Sequence, residues 1–541
     1  MPGAGIQATM MDVPLSLAPM LARAGRLFPD QEIVSRRPDK GIARQRFKDF
    51  HDRAHALKAA LIRADLPKGE AVATLMWNNA AHLEAYFGIP LAGGVLLTLN
   101  LRLHPDELAY IVRHAGAKTI IVDDILLPLA LEIQKRTPIQ RIIAINWSQA
   151  ALPAGVIDYE AFIDGPWDTR VPPLAEGDAA GMCFTSGTTG RPKGVVYSHR
   201  ALVLHSFAIA LPDVLAISHR SSVMPIVPMF HANAWGEPFA CAMLGAKLVL
   251  PGPHLDAESL LDLCEGERVT LAAGVPTVWL AVVRALEENP ARWPHLKGLR
   301  ALVGGSAAPE SLLRALARHG LAPAHGWGMT ELSPVGAIHS FKTSYDARSE
   351  DERFRNLASQ GLPLPLVETR IVNDEGEAPW DGKTVGELHV RGPFVAAAYH
   401  NQPDAADRWT EDGWFKTGDV AAIDEDGYLK LSDRTKDLVK SGGEWISSVD
   451  LENAIMGHPA VAEAAVIAVK HPKWDERPLA AVVLKAGQSL DLAGLRDFLA
   501  PKFPKYWLPD AMVAIDQIPR TATGKFQKSQ LRERFKDWVW E

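Results

Sequence analysis

Between about Phe47 and Val122 the apolar positions alternate between two spacings. In "DFHDRAHALKAALIRADL" they recur on one helical face, whereas "AVATLMW" and "TIIVDD" are short apolar runs of strand length. The same rhythm returns at "AKLVL", "ESLLDLCEGE", "TLAAGV", "LRALVGG" and "SLLRALARHG". Helices alternating with brief β-branched strands predict an α/β fold, here a large multi-layered N-terminal domain with mainly parallel sheets. Two stretches break the rhythm. Residues 342–360, "KTSYDARSEDERFRNLASQ", are charged and poor in apolar positions, which predicts a surface excursion. From Trp445 onward the pattern becomes that of a small α+β unit. "SSVDLENAIMGH" reads as a helix with a Ser447/Asp450 capping pattern, "VAEAAVIAV" and "LAAVVLKAG" as strands, and "DLAGLRDFLAPKF" as a second helix. The expected division is 1–433 for the large domain and 434–541 for a small, mobile C-terminal one.

Composition narrows the function without naming it. A chain of 541 residues has a soft prior of roughly two to four domains. With 47% apolar and 22% charged residues it has the balance of a soluble globular protein. A net charge of −7 and a pI near 6.2 argue against a nucleic-acid partner, while leaving small anions open to local cations. Cys183, Cys241 and Cys264 are too few and too scattered for a disulfide framework or a zinc site, so they read as buried structural thiols in a reducing compartment. The N-terminus carries no basic region followed by an apolar core. The longest uncharged runs are interrupted by Pro or Gly and fall short of a bilayer span. A cytoplasmic location is expected.

The unusual stretch is "TSGTTGRPKG", Thr185 to Gly194, set between two strand-like segments. Gly187 and Gly190 permit close backbone approach, and successive N–H groups in such a turn form an anion nest. Ser186, Thr188 and Thr189 add hydroxyl donors and Lys193 a charge, an inventory suited to a polyphosphate. A Walker-type loop is excluded: counting from Gly187 places Pro192 where the second glycine belongs, and the loop leads into a strand.

"TSGTTGRPKG" resembles the phosphate-binding loop of the adenylate-forming superfamily, which includes acyl-CoA synthetases, adenylation domains of peptide synthetases and luciferases. The family's other motifs follow in order. "GGSAAP" (Gly304 to Pro309) and "HGWGMTE" (His325 to Glu331) resemble the segments that enclose adenine and reach the phosphates. "DGWFKTGD" (Asp412 to Asp419) resembles the ribose-binding stretch, "DRTKDLVKSGGEWIS" (Asp433 to Ser447) the hinge and thiol tunnel, and "PRTATGK" (Pro519 to Lys525) the catalytic-lysine loop. The similarity runs from about residue 30 to 530, and is nearest to bacterial medium- and long-chain acyl-CoA synthetases and 3-(methylthio)propionyl-CoA ligases.

The resemblance implies an AMP-forming ligase that uses ATP, Mg²⁺ and coenzyme A and passes through an acyl-adenylate. Glu331 is then the metal ligand and Thr330 a phosphate contact, with Thr185 and Lys193 completing the phosphate loop. Gly305, Ser306, Ala307, His325, Gly326, Trp327 and Gly328 enclose the nucleotide, Trp327 standing where tyrosine is commoner. Asp419 accepts from the ribose hydroxyls beside Arg434. Lys525 bridges carboxylate and α-phosphate. Lys436 is the hinge about which the C-terminal domain turns to bring Lys440, Ser441, Gly442, Gly443, Glu444 and Trp445 to the pantetheine arm. Homodimerisation is a further family expectation.

For the acid, "PMFHANAWG" resembles the acyl-pocket segment, with His231 near the carboxylate, Trp235 as a gating ring, and Gly236, Gly304, Gly305, Ser333 and Pro334 as walls. That segment holds no Arg or Asp, so an apolar tail is expected, such as a medium- or long-chain fatty acid. The alternatives are 3-(methylthio)propionate or another short or aryl acid. Transfer to a carrier protein, a luciferase-like oxygenase and a non-catalytic nucleotide-binding homologue are the remaining readings.

Overall fold

The structure is a computed structural model that describes residues 8–185, 191–434, 437–442, 444–520 and 526–540. Among these, two large sheets face each other across a layer of helices. One has nine strands and the other seven, and most neighbouring pairs run parallel. The alternating-run pattern is responsible. Strand Ala71–Leu75 is buried at every position, Val72 facing the helical layer and Ala73 the outer side of its sheet. In the nine-stranded sheet Leu271 and Ala272 divide the same way. The helix Ala80–Leu91 lies inside this sandwich and is mostly apolar, its two polar residues, His82 and Glu84, being buried as well. Its N-terminus is capped by Asn79, whose side chain accepts from the His82 N–H at 2.9 Å.

The sheets thus stack as a multi-layered α/β body, as the rhythm predicted. The three cysteines are free and buried. The charged stretch 342–360 differs from its prediction in one respect. It contains a helix, Glu350–Leu357, started by a reciprocal capping box between Ser349 and Glu352. Its composition misleads because just one residue, Leu357, is buried.

A five-stranded antiparallel sheet follows, ending in strand Leu429–Arg434. Strands from Val439 onward form a separate sheet, on which Val461–His471 and Asp475–Leu484 pair along their whole length. The helix Ser448–Met456 packs on that sheet, with Ser447 Oγ accepting the Asp450 N–H at 3.0 Å. A buried polar cluster anchors this helix. Asp433 accepts the Ser448 N–H at 2.8 Å, Lys528 donates to Ser448 Oγ at 2.6 Å, and Lys528 pairs with Glu452 at 2.7 Å.

Candidate active site

Strands Ala179–Phe184 and Gly194–Ser198 pair antiparallel, with Phe184 opposite Gly194. The Thr185 N–H donates to the Lys193 carbonyl at 2.9 Å, and the Lys193 N–H to Thr185 Oγ1 at 3.1 Å. These bonds close the neck of the glycine loop, whose members Ser186, Gly187, Thr188, Thr189 and Gly190 lie outside the described residues. Beyond the neck, the Lys193 ammonium sits 4.8 Å from the Tyr399 ring centroid, and the Tyr399 hydroxyl donates to Glu331 Oε1 at 2.5 Å. Thr330 and Glu331 occupy a buried single-turn helix, Thr330–Leu332. Tyr197, on the strand after the loop, donates to the Thr330 carbonyl at 2.8 Å. The loop and Glu331 are therefore coupled through two tyrosines that the motif reading did not single out. Burial, with the Glu331 charge beside it, pushes the Tyr399 phenol far upward, so it stays a donor.

This donor set fits a magnesium ion. Magnesium takes one or two carboxylates together with substrate phosphates and water. Glu331 offers an oxygen that accepts no hydrogen bond among the described residues. No group of three or more His, Cys, Asp or Glu competes as a metal cage among those residues.

The nucleotide-motif residues converge on a second feature. Trp327 lies on strand Ala322–Gly328 and donates its indole N–H to Asp419 Oδ2 at 2.9 Å. Asp419 and Arg434 are cross-strand partners in the five-stranded sheet, and the guanidinium stands 3.4 Å from Asp419 Oδ1. With Gly305, Ser306, Ala307, His325, Gly326 and Gly328 these residues line a cavity of about 220 Å³. The close approach of backbones explains one glycine: a Cβ at Gly328 would lie 2.2 Å from the Pro334 carbonyl oxygen. His325 plays a supporting part. Its Nε2 accepts the Ala308 N–H at 3.3 Å and its Nδ1 faces the Ala358 carbonyl at 3.0 Å, so both ring nitrogens hold backbone, and burial lowers its pKa.

The other wall of this cavity comes from the C-terminal part of the chain: Glu452, Asn453, Met456, Phe526, Lys528 and Arg532. Phe526 directly follows Lys525, a signal available in the sequence. Lys525 and Lys436 themselves lie outside the described residues. The thiol-tunnel segment is elsewhere. Strands Val439–Ser441 and Glu444–Ile446 form a hairpin whose Lys440 ammonium lies 4.8 Å from the Trp445 ring centroid, and Trp445 is 44% exposed. Gly442, at φ +61°, turns this hairpin and donates to the Trp474 carbonyl at 2.9 Å. Gly443 falls outside the described residues, as does the side chain of Glu444.

Around the acyl motif, Trp235 is brought against the "GGS" turn. A Cβ on Gly304 would come within 3.0 Å of the Trp235 ring, and one on Gly305 within 3.6 Å. His231 begins the turn and Gly236 ends it. Ser333 Oγ donates to the Phe394 carbonyl at 2.8 Å, and the Pro334 carbonyl accepts the Met329 N–H at 2.9 Å. These bonds hold the segment after Glu331 in place.

A layered α/β body with a nucleotide-sized cavity between Trp327, Asp419 and a wall from the C-terminal part of the chain defines an adenylate-forming type of enzyme. The chain belongs to the AMP-binding enzyme family: that family's model matches residues 21–400, and the model of the AMP-binding enzyme C-terminal domain matches residues 450–525. It is 47% identical over 535 residues to a long-chain-fatty-acid–CoA ligase of Thermus thermophilus, covering 98% of this chain and 97% of the relative. It is 42% identical over 537 residues to a 3-methylmercaptopropionyl-CoA ligase of Ruegeria pomeroyi, covering 98% of each. The crystal structure of ATP-bound MatB from Rhodopseudomonas palustris superposes with a TM-score of 0.80 at 26% identity, over 96% of this chain and 99% of that one. The anthranilate CoA ligase AuaEII, at 24% identity, shares the fold with a TM-score of 0.85 over 97% and 98% of the two chains. The protein is an AMP-forming acid–CoA ligase.

Proposed function

We infer that the enzyme activates an apolar carboxylic acid, such as a medium- or long-chain fatty acid, in two half-reactions at one site. The observation that supports this most is the shared cavity, in which the Trp327–Asp419–Arg434 group is faced by Phe526, the neighbour of Lys525. In the first half-reaction Asp419 and Arg434 hold the ribose and Trp327 lies along adenine. Lys193 and the glycine loop take the outer phosphates, and Lys525 neutralises charge shared by the attacking carboxylate and the α-phosphate. A magnesium ion held by Glu331 would screen the phosphates, and Tyr399 fixes the carboxylate that holds it.

The exposed hairpin carrying Lys440 and Trp445 belongs to the second half-reaction. Rotation about Lys436 brings it to the site, so that the coenzyme A thiol displaces AMP while water stays excluded. The proposed domains are 1–433 and 434–541. No helix among the described residues is long and apolar enough to cross a membrane. A cytoplasmic homodimer is the form proposed for the enzyme.

Trp235 against Gly304 and Gly305 favours a second reading, a short acid such as 3-(methylthio)propionate beneath a closed ring. CoA-dependent AMP release across straight-chain acids from acetate to palmitate, with 3-(methylthio)propionate, benzoate and cinnamate, separates the two. The best kcat/KM at octanoate or longer supports the first reading. A peak at the short or aryl acids overturns it.

A further inference from the structure

Immediately beyond the acyl-motif segment stands a carboxyl with no partner. Glu237 is the first residue of helix Glu237–Leu244 and is completely buried, and among the described residues neither of its side-chain oxygens has a hydrogen-bond partner. Buried polar groups are nearly always paired, so an orphan of this kind calls for an explanation.

The backbone leading to it is equally unusual. Ala232, Asn233, Ala234 and Trp235 have φ of 45°, 52°, 46° and 56°, all in the left-handed region, and Gly236 follows at 83°. Four successive non-glycine residues in this conformation are strained, and such strain gathers at ligand sites. The segment is wedged in place, since a Cβ on Gly236 would lie 2.7 Å from His205 Nδ1. Within it the Asn233 side-chain amide nitrogen is also buried and, among the described residues, without a hydrogen-bond partner. In sequence, Trp235 thus has a buried polar group without a hydrogen-bond partner two residues away on either side.

The strand Arg300–Val303 carries the charge that reaches this carboxyl. Along Arg300–Val303, Leu302 faces the core that holds Phe239, Ala240 and Cys241, while Ala301 and Val303 face the opposite core. Arg300 and Gly304 share the parity of Leu302, and Gly304 is the residue against Trp235. Four residues of strand span about 13 Å. One face of this strand therefore leads from the reacting end at Gly304 to Arg300, whose guanidinium donates to the Leu215 carbonyl and whose charge reaches Glu237.

We propose that Glu237 is a specificity-determining residue of the acyl pocket, and that its buried carboxyl receives a hydroxyl group on the tail of an otherwise apolar carboxylic acid. This rests on the reading of residues 231–236 as the acyl-pocket segment. The choice of a hydroxyl follows from the charges. Burial pushes the Glu237 carboxyl up to about 8, opposed by Arg300, so near neutral pH it is largely protonated and both donates and accepts. A hydroxyl does the same, and the two form a complementary pair. A methyl terminus leaves the carboxyl orphaned. A cationic tail meets the Arg300 charge, and an anionic one loses its hydration in a closed site.

The test is kcat/KM for CoA-dependent AMP release by the full-length enzyme, using pairs of acids of equal length with and without a hydroxyl, the hydroxyl being moved along the chain. The wild type should prefer one hydroxy acid over its alkanoate by about tenfold or more, as sites built to bond a hydroxyl do. Glu237→Leu should reverse that preference, and Glu237→Gln, which keeps a donor and an acceptor, should retain part of it. An unchanged hydroxy-to-alkanoate ratio in Glu237→Leu overturns the proposal, as does preference for a dicarboxylic or amino acid. If Glu237→Leu does not fold, a reduced but residual preference in a folded Glu237→Gln supports the proposal, and an unaltered preference overturns it. Activity with alkanoates and no hydroxyl preference removes this inference alone. Lack of turnover with every apolar or hydroxylated acid removes the apolar-acid reading with it.

Discussion

The indole N–H of Trp327 reaches the carboxylate of Asp419 across 2.9 Å, joining a strand of the nine-stranded sheet to one of the five-stranded sheet. The bond orients Asp419 with one oxygen toward Trp327 and the other toward Arg434. Trp327→Phe keeps an aromatic face and removes the donor. A hydrogen bond to a charged group contributes about 1.5–3 kcal/mol, so KM for ATP should rise roughly ten- to a hundredfold. Steady-state kinetics with ATP varied will check this. An unchanged KM would show that Asp419 is positioned without the indole.

Tyr399→Phe releases Glu331 from its phenol while leaving the ring beneath Lys193. The magnesium concentration for half-maximal rate should rise several-fold with little change in melting temperature. A parallel fall in stability would assign the phenol a structural role instead.

Lys528 and Glu452 form a buried pair next to Ser448 and Asp433. Removing one member leaves the other uncompensated, at a cost of about 3–5 kcal/mol. Lys528→Met should therefore lower the melting temperature of the C-terminal part markedly, and adding Glu452→Gln should restore part of the loss. Additive losses in calorimetry would contradict the coupling.

The two half-reactions should separate by mutation. Lys525→Ala is expected to cripple acyl-adenylate formation far more than thioester formation from supplied acyl-adenylate. Lys436→Pro should do the reverse. Equal loss in both halves would rule out the role given to Lys525, and normal turnover that given to Lys436.

Glu237 makes stability depend on pH. Its folded-state pKa of about 8 lies above the ordinary 4.5, so between these values the folded chain holds a proton that the unfolded chain has released. This contribution is present in full below about 4.5 and is lost as pH rises toward 8. Urea denaturation of Glu237→Gln should show a flatter decline across that window than the wild type. Matching slopes would mean that Glu237 is ionised in the folded protein.

The local alternation of helix and strand was legible in the sequence because burial on both faces forces continuous apolar runs, as at Ala71–Leu75. The motifs likened to a phosphate loop and to nucleotide-binding segments could be picked out because their small and hydroxylic residues sit together in sequence. The helix at Glu350–Leu357 was obscured, since a surface helix held by a capping box has little apolar signal.

What folding alone decided are the relationships across the chain. Tyr399 meets Glu331 68 residues away, and Trp327 meets Asp419 across 92, separations that no local pattern encodes. Glu237 is the clearest case. A glutamate opening a helix reads as a solvated first-turn acid, and no local pattern marks a helix that starts inside the core. Packing between the two sheets took that carboxyl out of water without giving it a hydrogen-bond partner among the described residues, because the strained turn before it fixes where the helix begins.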